Sequence, residues 1–426
     1  MENRSFNILI LLALFSSALF SIITPMAKEL TADLNLKGED QVAFINSMFL
    51  SVGAFCSIIW ALLAVKFSRK ILLLTATLEW SLLTLFTIFA TDFYSFLIFQ
   101  LLAAIGFGAA LPLIYSLTID LFEPSERGIK FGTLSAYYIL GNGLGQILSG
   151  FLIDYYSWQI PLLIVAISGF ICTILLLLIK EPIKGEKDGL IEIKDGSIIE
   201  LGFKIKSEDL KKIWRIKTTR WILILDFVMF VGIGAVSSFF ISMLKNDFNL
   251  SSTFATILLI IVFGNQIPSG IIIGKLGDRK YQSDKKGRIN IAMKCLLFGG
   301  VIYALGFLLA IFLKNIFSFT IFFILILSGA FLFGGIDPLM QATLGEINPP
   351  EIRSTVYAIN YLATTTFGRS LSLLLLGYFF IIFNYEYSPG YFILFLIALS
   401  SLIFFLPIMN NFLNDMENLR LIQKGE

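Results

Sequence analysis

Stretches of about 20 apolar residues recur along the chain from Phe6 to Met409, with short polar breaks between them. Each stretch is long enough for a helix to cross the hydrocarbon core of a bilayer. Only 15% of the residues are charged, against about 25% in a typical soluble domain. The pattern therefore predicts an all-α polytopic membrane protein with twelve transmembrane helices. We place these spans at 6–27, 42–65, 71–91, 93–121, 130–154, 159–180, 221–243, 252–274, 290–313, 317–342, 355–383 and 390–409.

The most polar stretch of the chain lies between the sixth and seventh spans. Residues Lys180–Arg220 hold 11 of the 32 Lys and Arg residues and 8 of the 30 Asp and Glu residues. We therefore predict an N-terminal bundle at 1–180, a linker at 181–220, a C-terminal bundle at 221–410 and a tail at 411–426. Within Lys206–Arg220, the spacing of Leu210, Ile213 and Trp214 is typical of an amphipathic helix on the membrane surface.

The distribution of basic residues predicts the orientation in the membrane. An even number of spans places both termini and the linker on one side. The loops and termini on that side hold 26 Lys and Arg residues, against 4 in the opposite loops. Because cytoplasmic loops are enriched in Lys and Arg, we expect cytoplasmic termini in a multi-pass protein of the plasma membrane. The net charge of +2 is too small to indicate a nucleic-acid partner.

The two halves of the chain carry a parallel repeat. A shift of 226 positions superimposes several backbone-shaping and charged residues. The pairs are Gly108 with Gly334, Pro112 with Pro338, Asp120 with Glu346, Pro124 with Pro350 and Arg127 with Arg353. Chance explains such matches poorly in a chain rich in Ile and Leu. Parallel six-span repeats are typical of one large class of transporters.

Loops at matching places in the two halves carry clustered basic residues. Residues 274–279 read Gly-Lys-Leu-Gly-Asp-Arg and are followed, after an insertion, by Gly287 and Arg288; the first copy is Ala61–Lys70. The second loop resembles the signature loop of the major facilitator superfamily (MFS). Together with the spans and the repeat, the resemblance covers the whole chain. It implies two pseudo-symmetric six-helix bundles that move a small solute by alternating access.

Asp278 is the one acidic residue in these loops that membrane anchoring does not explain. The basic residues that anchoring does explain are Arg69, Lys70, Arg279 and Arg288. In the superfamily, the Asp latches the two halves together on the cytoplasmic side. The resemblance thus implies that Asp278 lies near Arg127 or the start of the fifth span, where a helix N-terminus attracts a carboxylate. Val65 stands at this place in the first copy, which predicts a one-sided latch.

Two further motifs of the superfamily are incomplete. Gln100 takes the place of an Arg in the fourth span, which disfavours an Arg-based proton relay there. Gln146 replaces the Pro of a fifth-span motif found in antiporters, which disfavours drug/proton exchange. Gly141, Gly145 and Ser149 at four-residue spacing are explained as a close-packing seam between helices.

Ionisable side chains inside a span cost at least about 2.5 kcal/mol each and are functional hypotheses by default. Those of this chain are Glu79, Asp226, Lys294, Asp337 and Arg369. Asp226 and Asp337 lie roughly 8 and 13 Å from the cytoplasmic ends of their spans, and the resemblance places both spans around a central cavity. Either acid could bind substrate or a proton. Alternatively, one of them pairs with Arg369 or Lys294 to hold the second half together.

Uncharged polar residues extend this set. They are Tyr138, Asn142 and Gln146 in the fifth span, Asn265 and Gln266 in the eighth, and Tyr361 on the face of Arg369 in the eleventh. Bonding to a solute and bonding between helices explain these residues equally well. The candidate substrate or proton residues are therefore Asp226, Asp337, Arg369, Gln100, Asn142, Gln146, Gln266 and Tyr361. The candidate gating residues are Asp278, Arg279, Arg288, Arg127, Arg69 and Lys70.

Nothing in the sequence indicates an enzyme. The chain has no His, so proton coupling would need a carboxylate, and no Walker loop indicates ATP hydrolysis. Cys56, Cys172 and Cys295 all fall inside spans without a CxxC pair, as expected of small core residues. We expect no catalysis, no metal and no cofactor.

These observations predict a secondary active transporter of a small organic solute, with proton symport as the preferred coupling. Facilitated uniport and lipid or lysolipid transport are alternatives, the latter because residues 348–353 and Glu181-Pro182 are faintly similar to spinster-like members. A non-transporting sensor on the same scaffold is an alternative of another class. The expected partners are the solute, protons and membrane lipid, with the protein itself a monomer.

Overall fold

A computed structural model describes residues 2–37, 39–153, 155–185, 187, 191–194, 197–200, 214–250, 252–312, 316–350, 352–384 and 386–424. About half of the linker lies outside these ranges. The amphipathic helix expected over Lys206–Arg220 falls there in part, since 206–213 are not described. Trp214 is 54% exposed, and the next helix begins at Lys217. The last four residues of the expected surface helix therefore belong to the seventh span instead.

The first six spans are formed by eight helices in the described residues. They are α1 Glu2–Ser21, α2 Ala27–Asp33, α3 Glu39–Lys66, α4 Arg69–Thr87, α5 Phe93–Phe107, α6 Ala110–Leu121, α7 Arg127–Leu152 and α8 Gln159–Leu176. Two of them begin at capping residues, as helix N-termini need acceptors for their free N–H groups. Ser68 Oγ accepts from Ile71 N at 3.3 Å, and Asp92 Oδ1 accepts from Ser95 N at 2.8 Å.

The linker contains a feature that the sequence pattern does not predict. Strands β1 Ile191–Lys194 and β2 Ser197–Glu200 form an antiparallel hairpin. The chain is otherwise helical in the described residues after this point. The helices are α9 Lys217–Ile233, α10 Val236–Phe248, α11 Ser252–Gly264, α12 Gln266–Ser283, α13 Gly287–Phe312, α14 Ile316–Phe333, α15 Ile336–Ile347, α16 Arg353–Tyr361, α17 Arg369–Ile382, α18 Ser388–Ser400 and α19 Phe405–Lys424.

The chain is an all-α polytopic membrane protein, as the sequence predicts. Within the described residues, 11 helical stretches are long and apolar enough to cross a membrane. The fifth predicted span is not among these 11 stretches, because its composition is too polar. It forms the 26-residue helix α7, but its Asn and Gln residues lower its hydropathy.

Four spans consist of two helices joined by a break. Span 4 breaks at Gly108 and Ala109, between α5 and α6, and span 10 breaks at Gly334 and Gly335, between α14 and α15. The 226-residue repeat relates these two breaks. Each is followed within four residues by a Pro, which lacks the N–H needed to continue a regular helix. Spans 7 and 8 break at 234–235 and at 265.

The described chain divides into two compact units. The first consists of Met1–Phe122, Tyr137–Lys187 and Pro350–Tyr361, and the second of Glu123–Ala136, Asp188–Pro349 and Leu362–Glu426. A short stretch from each sequence half thus belongs to the unit built mainly from the other half. The domain boundaries predicted from the sequence stay a proposal.

The core of the first unit depends on small residues between helices. A Cβ atom at Gly169 of α8 would lie 2.5 Å from the Trp80 ring of α4, so only glycine lets the indole pack there. Trp80 is fully buried. Close backbone approach of this kind is typical of membrane helices, whose association depends on van der Waals packing.

The core of the second unit is aromatic. The rings of Tyr303 and Phe395 stack with centroids 4.3 Å apart, and Phe307 stacks on Tyr391 at 5.0 Å. These rings join α13 to α18. Stacked aromatic pairs contribute about 0.5–1.5 kcal/mol beyond the area they bury, so this cluster stabilises the contact between α13 and α18.

Candidate functional site

Asp337 lies at the start of α15, directly after the break at Gly334 and Gly335. Its Oδ1 atom accepts a hydrogen bond from Gln341 Nε2 at 2.9 Å, one turn along the same helix. Its Oδ2 atom accepts from Ser135 Oγ of α7 at 3.4 Å. Both donors are neutral. The acid therefore sits among polar groups at a point where the helix is irregular, as is tolerated at this depth when the backbone is buried in protein or lines a cavity.

Asp226 and Arg369 lie on neighbouring helices of the second unit. Asp226 is on α9 and is only 2% exposed. Arg369 begins α17, is half-buried, and its Nη2 atom lies 3.5 Å from Ser237 Oγ. The two helices approach closely, because a Cβ atom at Gly234 would lie 2.7 Å from Arg369 Cα. The Arg369 guanidinium thus lies beside the exposed Ser237 hydroxyl in the middle of a span.

A π-helix that sequence reasoning misses precedes Arg369. It covers Leu362–Gly368 and contains three consecutive threonines. Such segments occur often at functional sites, where the wider turn displaces backbone and side chains. Thr366 Oγ1 is buried and has no hydrogen-bond partner among the described residues. The run of β-branched threonines, which disfavours a regular helix, is the signal that could have found it.

The uncharged candidates are spread over several places. Gln146 Nε2 donates to Asn142 Oδ1 at 2.8 Å on the exposed face of α7. Gln100 is fully buried, and its Nε2 atom donates to Thr87 Oγ1 at 3.1 Å, so it joins α4 to α5 within the first unit. Gln266 begins α12 and is half-buried against Gly334. Tyr361 ends α16 in the first unit. These five residues lie on α5, α7, α12 and α16, four of them in the first unit and Gln266 in the second.

Asp278, a residue of α12, lies against the start of α7. Its carboxylate accepts hydrogen bonds from Gly128 N at 2.9 Å and Ile129 N at 2.8 Å. Arg288 donates to it from Nε at 2.9 Å and from Nη2 at 2.5 Å. Arg288 also pairs with Glu346 and donates to the Pro124 carbonyl. One buried carboxylate thus joins a helix N-terminus, which is positive, to a buried guanidinium.

A second ion network surrounds Asp120 in the first unit. Arg69 Nη1 lies 2.5 Å from Asp120 Oδ2, and Arg353 Nη1 lies 2.6 Å from Asp120 Oδ1. All three side chains are at most 1% exposed. The repeat relates this network to the one around Arg288, because Asp120 and Glu346 occupy equivalent positions and each pairs with an Arg near the start of a helix.

Glu181, at the end of the sixth span, completes the Asp120 network. Its carboxylate accepts from Arg69 N at 2.9 Å, from Arg69 Nε at 3.3 Å and from Ser68 Oγ. Burial by itself raises the pKa of this carboxyl group, but the bonds from Ser68 and Arg69 outweigh burial and hold the pKa below its usual value. The side chain therefore caps α4 as an anion. Sequence reasoning singles out Glu181 only as part of a Glu-Pro pair.

Comparison with known proteins now decides the family. Residues 8–293, more than half of the chain, match the model of the Major Facilitator Superfamily. The chain belongs to this superfamily. It has an integral, multi-pass membrane fold.

Two relatives illustrate how far sequence similarity within the superfamily extends. The putative niacin/nicotinamide transporter NiaP of Bacillus subtilis is 25% identical over 254 residues, 58% of this chain and 60% of that protein. Protein spinster of Drosophila melanogaster is 26% identical over 153 residues, 36% of this chain and 25% of that protein. The chain thus matches 60% or less of the length of these relatives.

Solved structures of the superfamily share the fold. The Escherichia coli transporter FucP, in the outward conformation, matches with a TM-score of 0.72 at 15% identity, over 94% of this chain and 97% of that one. The proton:xylose symporter XylE matches with a TM-score of 0.69 at 14% identity, over 95% and 94%. The predicted MFS fold of two six-helix halves is confirmed.

The basic residues of the superfamily loops require a correction. Membrane anchoring predicts that they extend to the surface, but Arg69 and Arg288 are each 1% exposed and paired with acids. The reason is that a buried guanidinium needs charged partners, and Asp120 and Glu346 supply them. Anchoring still suits the exposed Arg279. Lys70 donates instead to the Leu177 carbonyl at 2.8 Å.

Arg127 also lies inside the protein rather than at the interface. It begins α7 and is 0% exposed. The next two residues, Gly128 and Ile129, donate their backbone N–H groups to Asp278. Arg127 and Arg353 are equivalent in the repeat and are equally buried.

Proposed function

We propose that this protein is a proton-coupled secondary transporter that carries a small organic solute by alternating access. The observation that supports the coupling is the environment of Asp337, a membrane-embedded acid beside a helix break whose hydrogen-bond partners are the neutral Ser135 and Gln341. A carboxyl group in such surroundings can gain or lose a proton without breaking an ion pair.

Three other buried acids are less suited to carrying a proton. Asp120, Asp278 and Glu346 are each paired with an arginine, which favours their charged form. The chain has no His, the side chain that most often titrates near neutral pH. Asp337 is therefore the proton site we favour, with Asp226 as the second candidate.

For the solute, we propose a small organic acid that Arg369 binds. The Arg369 guanidinium lies 3.5 Å from Ser237 Oγ in the middle of a span. Guanidinium groups bind carboxylates through paired hydrogen bonds. The relation to a putative niacin/nicotinamide transporter supports a solute of this size. Gln266, in the same unit as Arg369, is proposed as a further polar contact.

The test is transport into liposomes that contain the purified protein. We expect wild type to accumulate a radiolabelled aromatic carboxylate when the exterior is made acidic. Asp337→Asn should abolish this accumulation but retain counterflow of the same solute, because exchange does not require net proton movement. Glu126→Gln, which neutralises an exposed loop acid, is the matched control and should behave as wild type. Equal accumulation by Asp337→Asn and wild type would contradict proton coupling through this residue.

The same assay separates the alternatives. Counterflow without pH-driven accumulation in wild type would favour facilitated uniport. Saturable binding without any counterflow would favour a sensor. Binding and counterflow are measured on the same preparation. If the chosen solute is not a ligand of the protein, neither binding nor counterflow is seen.

A lipid or lysolipid substrate is supported by a separate observation. An apolar cavity of about 500 Å³ opens beside α17. Its lining residues are Phe227, Ala363, Phe367, Ser370, Leu371 and Leu374. Arg369 directly precedes Ser370, which lines the cavity. Arg369 could therefore bind an anionic headgroup while the cavity binds the acyl chain. Competition by lysophosphatidylglycerol, but not by a neutral detergent of equal chain length, would favour this function.

We further propose that the Asp278 and Asp120 networks form a cytoplasmic gate, and that the termini face the cytoplasm of a plasma-membrane protein. The excess of Lys and Arg on that side supports the orientation. In a background with Cys56, Cys172 and Cys295 changed to alanine, Glu123→Cys should react with an impermeant maleimide only after cells are opened. Labelling of intact cells would contradict the orientation.

A further inference from the structure

Glu79 is a carboxyl group in the middle of α4 that the proposed transport site does not use. It lies ten residues past Arg69, roughly 15 Å along the helix axis. Its Oε2 atom is buried and has no hydrogen-bond partner among the described residues. Acids at this depth of a membrane are costly to keep as ions, so the position calls for an explanation.

The Glu79 carboxyl group lies against Gly106, near the end of α5. A Cβ atom at Gly106 would overlap Glu79 Oε2 and the Ala76 carbonyl oxygen, and would lie 3.1 Å from Glu79 Cδ. Only glycine leaves room for the carboxyl group here. Since Oε2 and the Ala76 oxygen border the same small space, a protonated Glu79 has a carbonyl acceptor within reach. An ionised Glu79 instead faces that carbonyl with charge of like sign.

Few titratable groups surround this carboxyl group. Cys56 of α3 is the one whose thiol interacts electrostatically with Glu79. The other titratable side chains described on the helices that pack against α4 are Lys66 of α3, Tyr94 of α5, Tyr115 and Asp120 of α6, and Cys172 of α8. Asp120 already pairs with two arginines. A change in the charge of Glu79 is therefore not compensated by a partner that titrates beside it.

Gly106 adjoins the break that divides span 4. Gly108 packs against α3, since a Cβ atom there would lie 2.9 Å from Gly53 C and 3.1 Å from Ser57 N. Trp60 Nε1 of α3 also donates to the Ile105 carbonyl at 2.7 Å. The end of α5 is thus held by α3 on one side and touched by Glu79 of α4 on the other.

Beyond the break, α6 leads to the Asp120 network. It contains 12 residues and is therefore roughly 18 Å long. A tilt of about 10° at the break displaces the far end of a helix of this length by roughly 3 Å. That movement would separate Asp120 from Arg353, now 2.6 Å apart. Small changes at Gly106 are thus magnified at the ion pair.

We propose that Glu79 is a second proton-binding site, separate from Asp337, whose charge state sets the angle between α5 and α6 and thereby the strength of the Asp120–Arg353 pair. With its proton bound, Glu79 packs against Gly106 and α6 keeps the pair closed. On losing its proton to water, the carboxylate turns from the Ala76 carbonyl towards the Gly106 N–H, which donates a hydrogen bond to the charged form, the break relaxes, and the pair opens. The inference concerns only the first unit and does not depend on the identity of the solute.

The first experiment is hydrogen–deuterium exchange of the purified protein in nanodiscs over a range of pH, corrected for the intrinsic pH dependence of exchange. Wild-type α6 should lose protection by about tenfold as pH rises, equivalent to about 1.4 kcal/mol in the free energy of opening. Glu79→Gln keeps the shape and neutrality of the protonated acid, so its α6 should stay protected throughout. The matched variant Asp337→Asn should keep the wild-type pH dependence.

A second measurement detects the proton itself. The pH-difference infrared spectrum of wild type should contain a protonated-carboxyl band that Glu79→Gln lacks and Asp337→Asn retains. Should Glu79→Gln fail to fold, Glu79→Asp should shift this band and the midpoint of the α6 transition. The proposal is overturned if Glu79→Gln follows the wild-type α6 curve, if Asp337→Asn abolishes that curve, or if neither Glu79 variant alters the infrared band.

Discussion

Arg353 Nη1 lies 2.6 Å from Asp120 Oδ1, although 233 positions of sequence separate the two residues. The second oxygen of Asp120 pairs with Arg69 at 2.5 Å. One buried carboxylate therefore holds two buried guanidinium groups. Its removal should break both pairs, although Arg69 keeps its bonds to Glu181, whereas removal of either arginine breaks one pair and leaves the acid paired with the other arginine.

The number of pairs that each substitution breaks predicts which variant is less stable. Asp120→Asn should destabilise the protein more than Arg353→Gln, because it breaks two buried pairs instead of one and breaking a buried pair costs about 3–5 kcal/mol. Thermal unfolding in detergent measures the difference in melting temperature. A double-mutant cycle with Arg69→Gln serves as the control, and equal losses for Asp120→Asn and Arg353→Gln would show that the two arginines do not share the acid.

Asp278→Asn should open the second unit near α12. The amide oxygen can accept from one of Gly128 N and Ile129 N, but it no longer neutralises Arg288, which is 1% exposed. Leu339, which is buried against Gly277, is changed to Cys in a protein that lacks the three native cysteines. We expect the new thiol to react faster with a small maleimide when Asp278→Asn is also present than when Asp278 is kept. Asp284→Asn in the nearby loop is the control, and an unchanged rate in Asp278→Asn would contradict the latch.

The close approach of α7 and α12 should not tolerate a methyl group. A Cβ atom at Gly132 would lie 2.7 Å from Gly270 C and 3.2 Å from Ile271 N. Gly132→Ala should therefore lower stability by about 1–3 kcal/mol, the usual cost of overpacking, and reduce transport. Gly143→Ala on the same helix is the matched control, since nothing lies within 4 Å of its Cβ position. Similar behaviour of the two variants would mean that the approach is not required.

Glu181 predicts a dependence of stability on pH. Its folded-state pKa is lowered from the usual value of 4.5, so the unfolded chain binds more protons in the window between the two values. The stabilisation is thus complete above the usual value and is lost as pH falls through the folded pKa. Glu181→Gln should melt at a lower temperature than wild type at pH 7, by roughly 1–2 kcal/mol of stability.

The same comparison in acid gives the control. Below the folded pKa both proteins carry a neutral side chain at position 181, so their melting temperatures should converge. Glu126→Gln, at an exposed loop position, should follow wild type at every pH. A difference that persists unchanged in acid would show that packing, rather than charge, explains the loss.

The positions of the helices follow closely from the sequence. The predicted span 290–313 corresponds to α13 at Gly287–Phe312, and the predicted span 71–91 to α4 at Arg69–Thr87. Hydropathy locates such helices because a backbone in lipid must satisfy its own hydrogen bonds. The π-helix at Leu362–Gly368 is not predicted, since hydropathy does not distinguish its turns from those of an α-helix.

Candidate site residues are predicted less evenly. A motif marks Asp278, whose carboxylate accepts from backbone N–H groups at the start of α7, and its role as a latch stays a prediction. Gln100 is matched to a motif position, yet it bonds to Thr87 within its own unit. Motif matching identifies a position on a helix, but the rotation and neighbours of that helix decide which groups a side chain can contact.

The sequence by itself determined that this chain is a duplicated bundle of membrane helices, because hydrophobic length, the asymmetry of charge and the 226-residue repeat are properties of the chain read in order. Only the tertiary structure decided which charges meet. Asp120 and Arg353 are both visible in the repeat, but their pairing depends on the packing of α6 against α16, and Coulomb attraction acts through distance in space rather than along the chain.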